Sequence, residues 1–221
     1  MFSRFLLGVF FLSISLPSVF ADTVNFDGIN ASSGDVSLGG INPYQGFVWT
    51  NFSAYTTTPG FDGFNNGIVS GPNAAYSGGD ILGTPIVGQI AASSPFNFVS
   101  GYLGSGYYDD LDVTVDGFLN GSLLFSRTVL VNTQGAQFFN FGFADVNELD
   151  FFGSRIGSTT DPFGCGQTGC TLFTLDDATF APATSTPPPP PPPVPEPSVA
   201  VLLALGLFAL STIRHHKLRV S

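Results

Sequence analysis

From residue 111 to residue 116 apolar and polar side chains alternate without a break, with Leu111, Val113 and Val115 on one side and Asp112, Thr114 and Asp116 on the other. A period of two puts successive side chains on opposite faces of an extended chain, so this segment reads as a strand with one dry and one wet face. The same rhythm recurs in short runs separated by Gly, Pro, Asn and Asp, and nothing between residues 22 and 181 sustains the 3.6-residue apolar stripe of a helix. Further strands are expected over 23–26, 47–55, 96–102, 123–131, 138–143, 146–152 and 172–180, with Asn120-Gly121 as the tight turn of a hairpin. Phe139, Phe141 and Phe143 share one face of their strand, as do Leu149 and Phe151. Roughly eight to ten short strands with frequent turns and no 20–50-residue repeat predict an all-β body, a two-sheet jelly-roll-like sandwich.

Residues 22–181 form one domain's worth of chain, and its charges are lopsided. Fourteen aspartates and Glu148 stand against Arg127 and Arg155, a formal charge of −13. Repulsion from phosphates excludes nucleic acid as a partner, and divalent cations suit such a surface better than polyanions do. The body also lacks His, Lys and Met. Without an imidazole no Ser-His-Asp or Cys-His centre and no His-based zinc site can be assembled, so the body is read as non-enzymatic. Asp109, Asp110, Asp112 and Asp116 invite comparison with a glycosidase's paired carboxylates, but their abundance on wet strand faces assigns them to solvation. A glycoside hydrolase is the remaining enzymatic alternative.

Cys165 and Cys170 bracket a Gly-rich loop, which in an exported chain reads as a small disulfide. Half of a metal site is the competing reading, although two thiolates supply too few ligands for zinc. The sequons at Asn30, Asn51 and Asn120 matter only in a host that glycosylates asparagine.

Both ends of the chain are apolar. Residues 1–21 have Arg4, an apolar run, and small residues at Val19 and Ala21, the pattern of a secretory signal peptide cut by signal peptidase after Ala21. An uncleaved anchor is the rival reading, and the run is short for a span of ~20 residues. At the other end, residues 182–193 are a Pro-rich linker ending in seven consecutive prolines, Pro187 to Pro193. Polyproline extends ~3.1 Å per residue, giving a stiff spacer. A second apolar segment, 198–213, is expected as a single transmembrane helix. The basic cluster of Arg214, Lys217 and Arg219 stays cytoplasmic, while everything before it is exported.

Pro195, Glu196 and Pro197 stand at the mouth of that helix. Pro-Glu-Pro, an apolar helix and a terminal basic cluster, in that order over residues 194–221, resemble the PEP-CTERM sorting signal of Gram-negative bacteria with exopolysaccharide systems. The resemblance implies recognition of the tripeptide by exosortase, a membrane protease. It also implies transient residence in the inner membrane and delivery to the cell surface, a biofilm or the extracellular polysaccharide matrix. A simple tail-anchored protein would need the helix and charges but not the tripeptide.

Residues 43–52 and 69–76 are similar to the N-terminal half of small PEP-CTERM exoproteins of unassigned function. Tyr44 and Trp49 lie in the first stretch beside Phe47 and Phe52. They read either as a sugar-stacking platform or, since Phe47 and Trp49 alternate in register, as core. The last strand, 172–180, is similar to the closing strand of carbohydrate-binding-module-like jelly rolls, where a paired Asp helps hold a structural calcium near the first strand. The resemblance points to Asp177, with Asp27 from the segment after the first strand, as calcium ligands. By parity Asp177 shares the face of Phe173 and Leu175, so on an inner face it must be hydrogen-bonded, paired or metal-bound.

The sequence thus leads to an exported surface or matrix protein sorted by exosortase, with a calcium-stabilised carbohydrate-binding module as the alternative for its body.

Overall fold

The computed structural model describes residues 22–81, 84–155 and 170–183. The expected signal peptide, Cys165, the proline run, the expected sorting tripeptide, the segment 198–213 expected as a helix and the basic cluster lie outside the described residues, among which no helix is long and apolar enough to cross a membrane.

The body is all-β, as expected. Its strands are β1 (Asp22–Val24), β2 (Val36–Ser37), β3 (Val48–Thr50), β4 (Ser53–Thr56), β5 (Asn73–Gly78), β6 (Asp80–Ile81), β7 (Thr84–Pro85), β8 (Gly88–Ser105), β9 (Leu111–Leu119), β10 (Ser122–Val131), β11 (Gln137–Ser154) and β12 (Leu172–Pro182), with one short α-helix, α1 (Asp62–Asn65), and a single 3-10 turn at Leu38–Ile41. Instead of two separate sheets, ten strands form one continuous hydrogen-bonded sheet in the order β10-β9-β11-β8-β12-β5-β4-β2. β1 is added to β12 and β3 to β8, while β6 and β7 make a separate small hairpin.

Continuity comes from β8 and β11, each 18 residues long. At ~3.3 Å per residue such strands outrun a small core and must bend. β11 does so through register shifts between Asn140 and Glu148, where Gly142 (φ 62°) and Asp145 (φ 55°) take the left-handed conformation. The start of β8 therefore lies between β3 and the end of β11, while its later part lies between β12 and the start of β11. The two halves face one another across a core of rings. Phe151 of β11 stacks on Phe173 of β12 at 6.0 Å, although those strands share no hydrogen bonds, and Phe98 meets Phe151 at 6.0 Å.

Leu111, Val113 and Val115 are wholly buried, as their alternation requires, and Leu149 and Phe151 join them. Trp49, Phe26, Phe52, Phe98 and Phe173 complete the centre. Each fully buried side chain of this size contributes about 1.5–3 kcal/mol. Asn120 (φ 51°) and Gly121 (φ 78°) both take positive φ in the two-residue turn between β9 and β10, the conformation that Asn-Gly favours.

One segment positions the site. Residues 57–72, which include α1, cross the face of β12 and β5 opposite the core, covering Thr174 and Asp176 completely. Close approach depends on residues without side chains. A Cβ on Gly63 would stand 2.4 Å from the Gly106 carbonyl oxygen, and one on Gly67 would stand 2.5 Å from Thr174 Oγ1. Polar ties then hold the crossing in place. Asn66 Nδ2 donates to Thr133 O (2.9 Å), and Ala136 N donates to Asn66 O (3.0 Å).

Candidate functional site

Beside this crossing segment lies an open cleft of about 280 Å³. Its walls are aromatic: Tyr55 from β4, Tyr76 from β5, Phe61 and Phe64 from the crossing segment, and Tyr107 from the turn after β8. Phe64 is the hub, with ring centroids 5.5 Å from Tyr55, 5.7 Å from Tyr76 and 5.3 Å from Tyr107, all edge to face. That arrangement matches the quadrupoles of the rings and fixes their orientation. Phe64 fits because Gly106 leaves room for it; a Cβ there would meet the Phe64 ring at 2.4 Å. Phe61 remains 44% exposed at the lip, with its ring 6.3 Å from that of Phe64.

Asp35 and Thr58 supply polar groups at the walls. Tyr76 donates its hydroxyl to Asp35 Oδ2 at 2.9 Å. Burial, with the Asp35 interaction, pushes the Tyr76 phenol up to about 12, so it remains a donor at physiological pH. Tyr55 is buried and donates to the Phe64 carbonyl at 2.7 Å, and burial raises its ionisation well above the ordinary range. Asn65 clamps the approach to α1 by accepting from Thr58 N (2.8 Å) and donating to Thr58 O (3.0 Å). Rigid ring faces beside a few oriented polar groups make a cleft near the lower end of the ~300–1,000 Å³ range for small-ligand sites.

Asp176 supports this wall from beneath. It is completely buried, and its Oδ2 accepts from Val69 N (2.8 Å) and Ser70 N (3.1 Å) while Oδ1 accepts from Asp177 N (2.8 Å). Desolvation pushes its carboxyl up to about 6 despite those three donors. Its neighbour Asp177 does not keep the face that strand parity predicts. Asp176 keeps the parity of Thr174 and is enclosed by the crossing segment, whereas the register shift after it, with Asp177 at φ 45°, takes Asp177 off the core face, where it is half-buried and accepts from Ser70 Oγ at 2.7 Å.

The proposed calcium ligands flank one turn. Asp177 holds Ser70, while the Asp27 carboxylate fills the space beside Gly71, where a Cβ would fall 1.9 Å from Asp27 Oδ1. That oxygen is buried without a hydrogen-bond partner, a state that a hard cation would relieve. Among the described residues no group of three or more His, Cys, Asp or Glu side chains is arranged to hold a metal, so backbone oxygens would have to complete the shell.

Tyr44 and Trp49 do not form an exposed platform. Trp49 is fully buried, donates Nε1–H to Tyr44 O at 3.0 Å and meets Phe26 and Phe52 edge-on. Tyr44 is half-buried and donates its hydroxyl to Asn25 O at 2.7 Å. Their alternation with Phe47 marks packing. Cys170 is buried and disulfide-bonded.

The aspartates compared with a hydrolase pair have separate partners. Asp109 accepts from Thr133, Asp110 pairs with Arg155, and Asp116 stands opposite Asp150 across β9 and β11.

The sequence matches no family profile and no curated protein. Among solved structures it is similar to a DUF4465 family protein from Bacteroides caccae, with 12% identity, TM-score 0.44, and coverage of 60% of this chain and 74% of that one. A carbohydrate-binding module of the CBM4 type is similar at 15% identity, TM-score 0.29, and coverage of 67% and 85%. The module TmCBM61, solved with β-1,4-galactotriose, is similar at 5% identity, TM-score 0.30, and coverage of 65% and 87%.

Proposed function

We propose that the body is a non-enzymatic carbohydrate-binding domain whose ligand stacks in the aromatic cleft. The observation that carries this reading is the cleft itself: fixed rings, with Phe61 exposed, beside the Asp35 carboxylate and the Tyr76 hydroxyl. Sugars offer both an apolar ring face and a rim of hydroxyl groups, and this wall offers partners for each. The export and sorting segments give the domain its setting. The signal peptide directs it outward, exosortase processes the Pro195-Glu196-Pro197 tail, and the mature protein acts at the surface or in the exopolysaccharide. Calcium, held by Asp27 and Asp177 with backbone oxygens, would brace the turn at Ser70 and Gly71.

A glycan array probed with the mature protein, followed by titration calorimetry on its hits, tests the binding reading. Phe61→Ala removes a partly exposed ring and is expected to weaken binding by about two- to tenfold with only a small fall in melting temperature. Unchanged affinity in that variant would remove the cleft as the site.

For calcium, saturation at about a hundred times Kd is expected to add about 2.7 kcal/mol to stability, or roughly 5–10 °C in Tm. The gain should vanish in Asp27→Ala. Equal melting curves with and without calcium would exclude the ion.

A further inference from the structure

Resting on the reading of the cleft as a glycan site, we propose that it selects sugars bearing free amino groups and rejects uronates. Asp35 is exposed at the wall and gives only one oxygen to Tyr76; its Oδ1 has no hydrogen bond among the described residues. Aromatic faces attract ammonium groups through their quadrupoles, and a neighbouring carboxylate adds direct charge pairing.

Nothing positive lines the cleft among the described residues to receive a sugar carboxylate. Both arginines of the body are engaged elsewhere. Arg127 reaches Asn140 O and lies over Phe141, while Arg155 pairs with Asp110 and stacks on Tyr108 at 3.7 Å. The body's charge of −13 acts in the same direction at longer range, concentrating cations and repelling anions.

Three β-1,4-linked hexamers of one backbone test this by calorimetry: glucosamine, N-acetylglucosamine and glucuronic acid, all at one mildly acidic pH and low salt. The expected order is amine, then N-acetyl, then uronate, with the amine ahead of the N-acetyl form by about fivefold. At 1 M salt, where the screening length falls to ~3 Å, the amine and N-acetyl forms should converge. Asp35→Asn keeps an acceptor for Tyr76 and should erase most of the amine preference, and Asp35→Lys should invert the amine–uronate order. Uronate binding equal to or stronger than amine binding, or an amine preference unchanged in Asp35→Asn, would overturn the inference while leaving the cleft reading intact. If none of the three hexamers binds and a broad glycan array is also blank, the cleft reading itself fails.

Discussion

Asp176 holds a carboxylate where solvent cannot reach it, and the folded state tolerates that only because three backbone amides point at it. Its folded pKa of about 6 lies above the ~3.9 of an unfolded chain. The stabilising contribution of protonation is therefore complete below about pH 4 and is lost as pH rises through 6. Relative to Asp176→Asn, wild-type stability should fall by about 2–3 kcal/mol between pH 4 and pH 7. Urea melts across that range measure it, and a constant difference would refute the assignment. A second carboxylate is strained by its neighbour. Asp116 stands directly opposite Asp150 with a buried, unpartnered Oδ1, and burial together with Asp116 raises Asp150. Asp116→Asn lets an amide face the Asp150 carboxylate and should add about 0.5–1 kcal/mol of stability, read as a rise in Tm. Neither role follows from position in the sequence. Asp176-Asp177 reads as a pair on alternating faces, and nothing in the sequence shows that the crossing segment covers the outer member while a bulge turns Asp177 off the core face.

Strands with β-branched or aromatic alternation are legible in the sequence: β9, β10 and β12 lie where their patterns put them. The 47–55 run splits into β3 and β4 because Asn51 turns the chain at φ 58°. β5 is built from Asn, Ala, Ala, Tyr, Ser and Gly, which carry little strand signal, and its pairing with β12 and β4 supplies what propensity does not. The cleft was hidden for a related reason. Its rings come from β4, β5, the crossing segment and the turn after β8, which only tertiary folding brings together. The aromatic cluster that sequence makes conspicuous, around Trp49, is core. The crossing segment depends on close backbone approach, so Gly63→Ala should cost about 1–3 kcal/mol by overpacking against the Gly106 carbonyl. Because that change displaces Phe64, glycan affinity should fall together with Tm. Loss of stability with unaltered affinity would mean that the segment does not shape the cleft.

The whole molecule couples a strongly acidic β-body to apolar, charged ends whose pattern resembles a sorting signal. Processing by exosortase predicts that the mature C-terminus, read by mass spectrometry, differs between cells with and without the protease. An identical C-terminus in both would rule out that processing. Nuclear magnetic resonance titration of the mature protein with an array-identified glycan reads the occupied face of the body residue by residue. Binding in the cleft gives saturable shifts centred on Tyr55, Phe61, Phe64, Tyr76 and Tyr107, weakened in Phe61→Ala. Saturable shifts confined to another face, with these five residues unmoved, would contradict it.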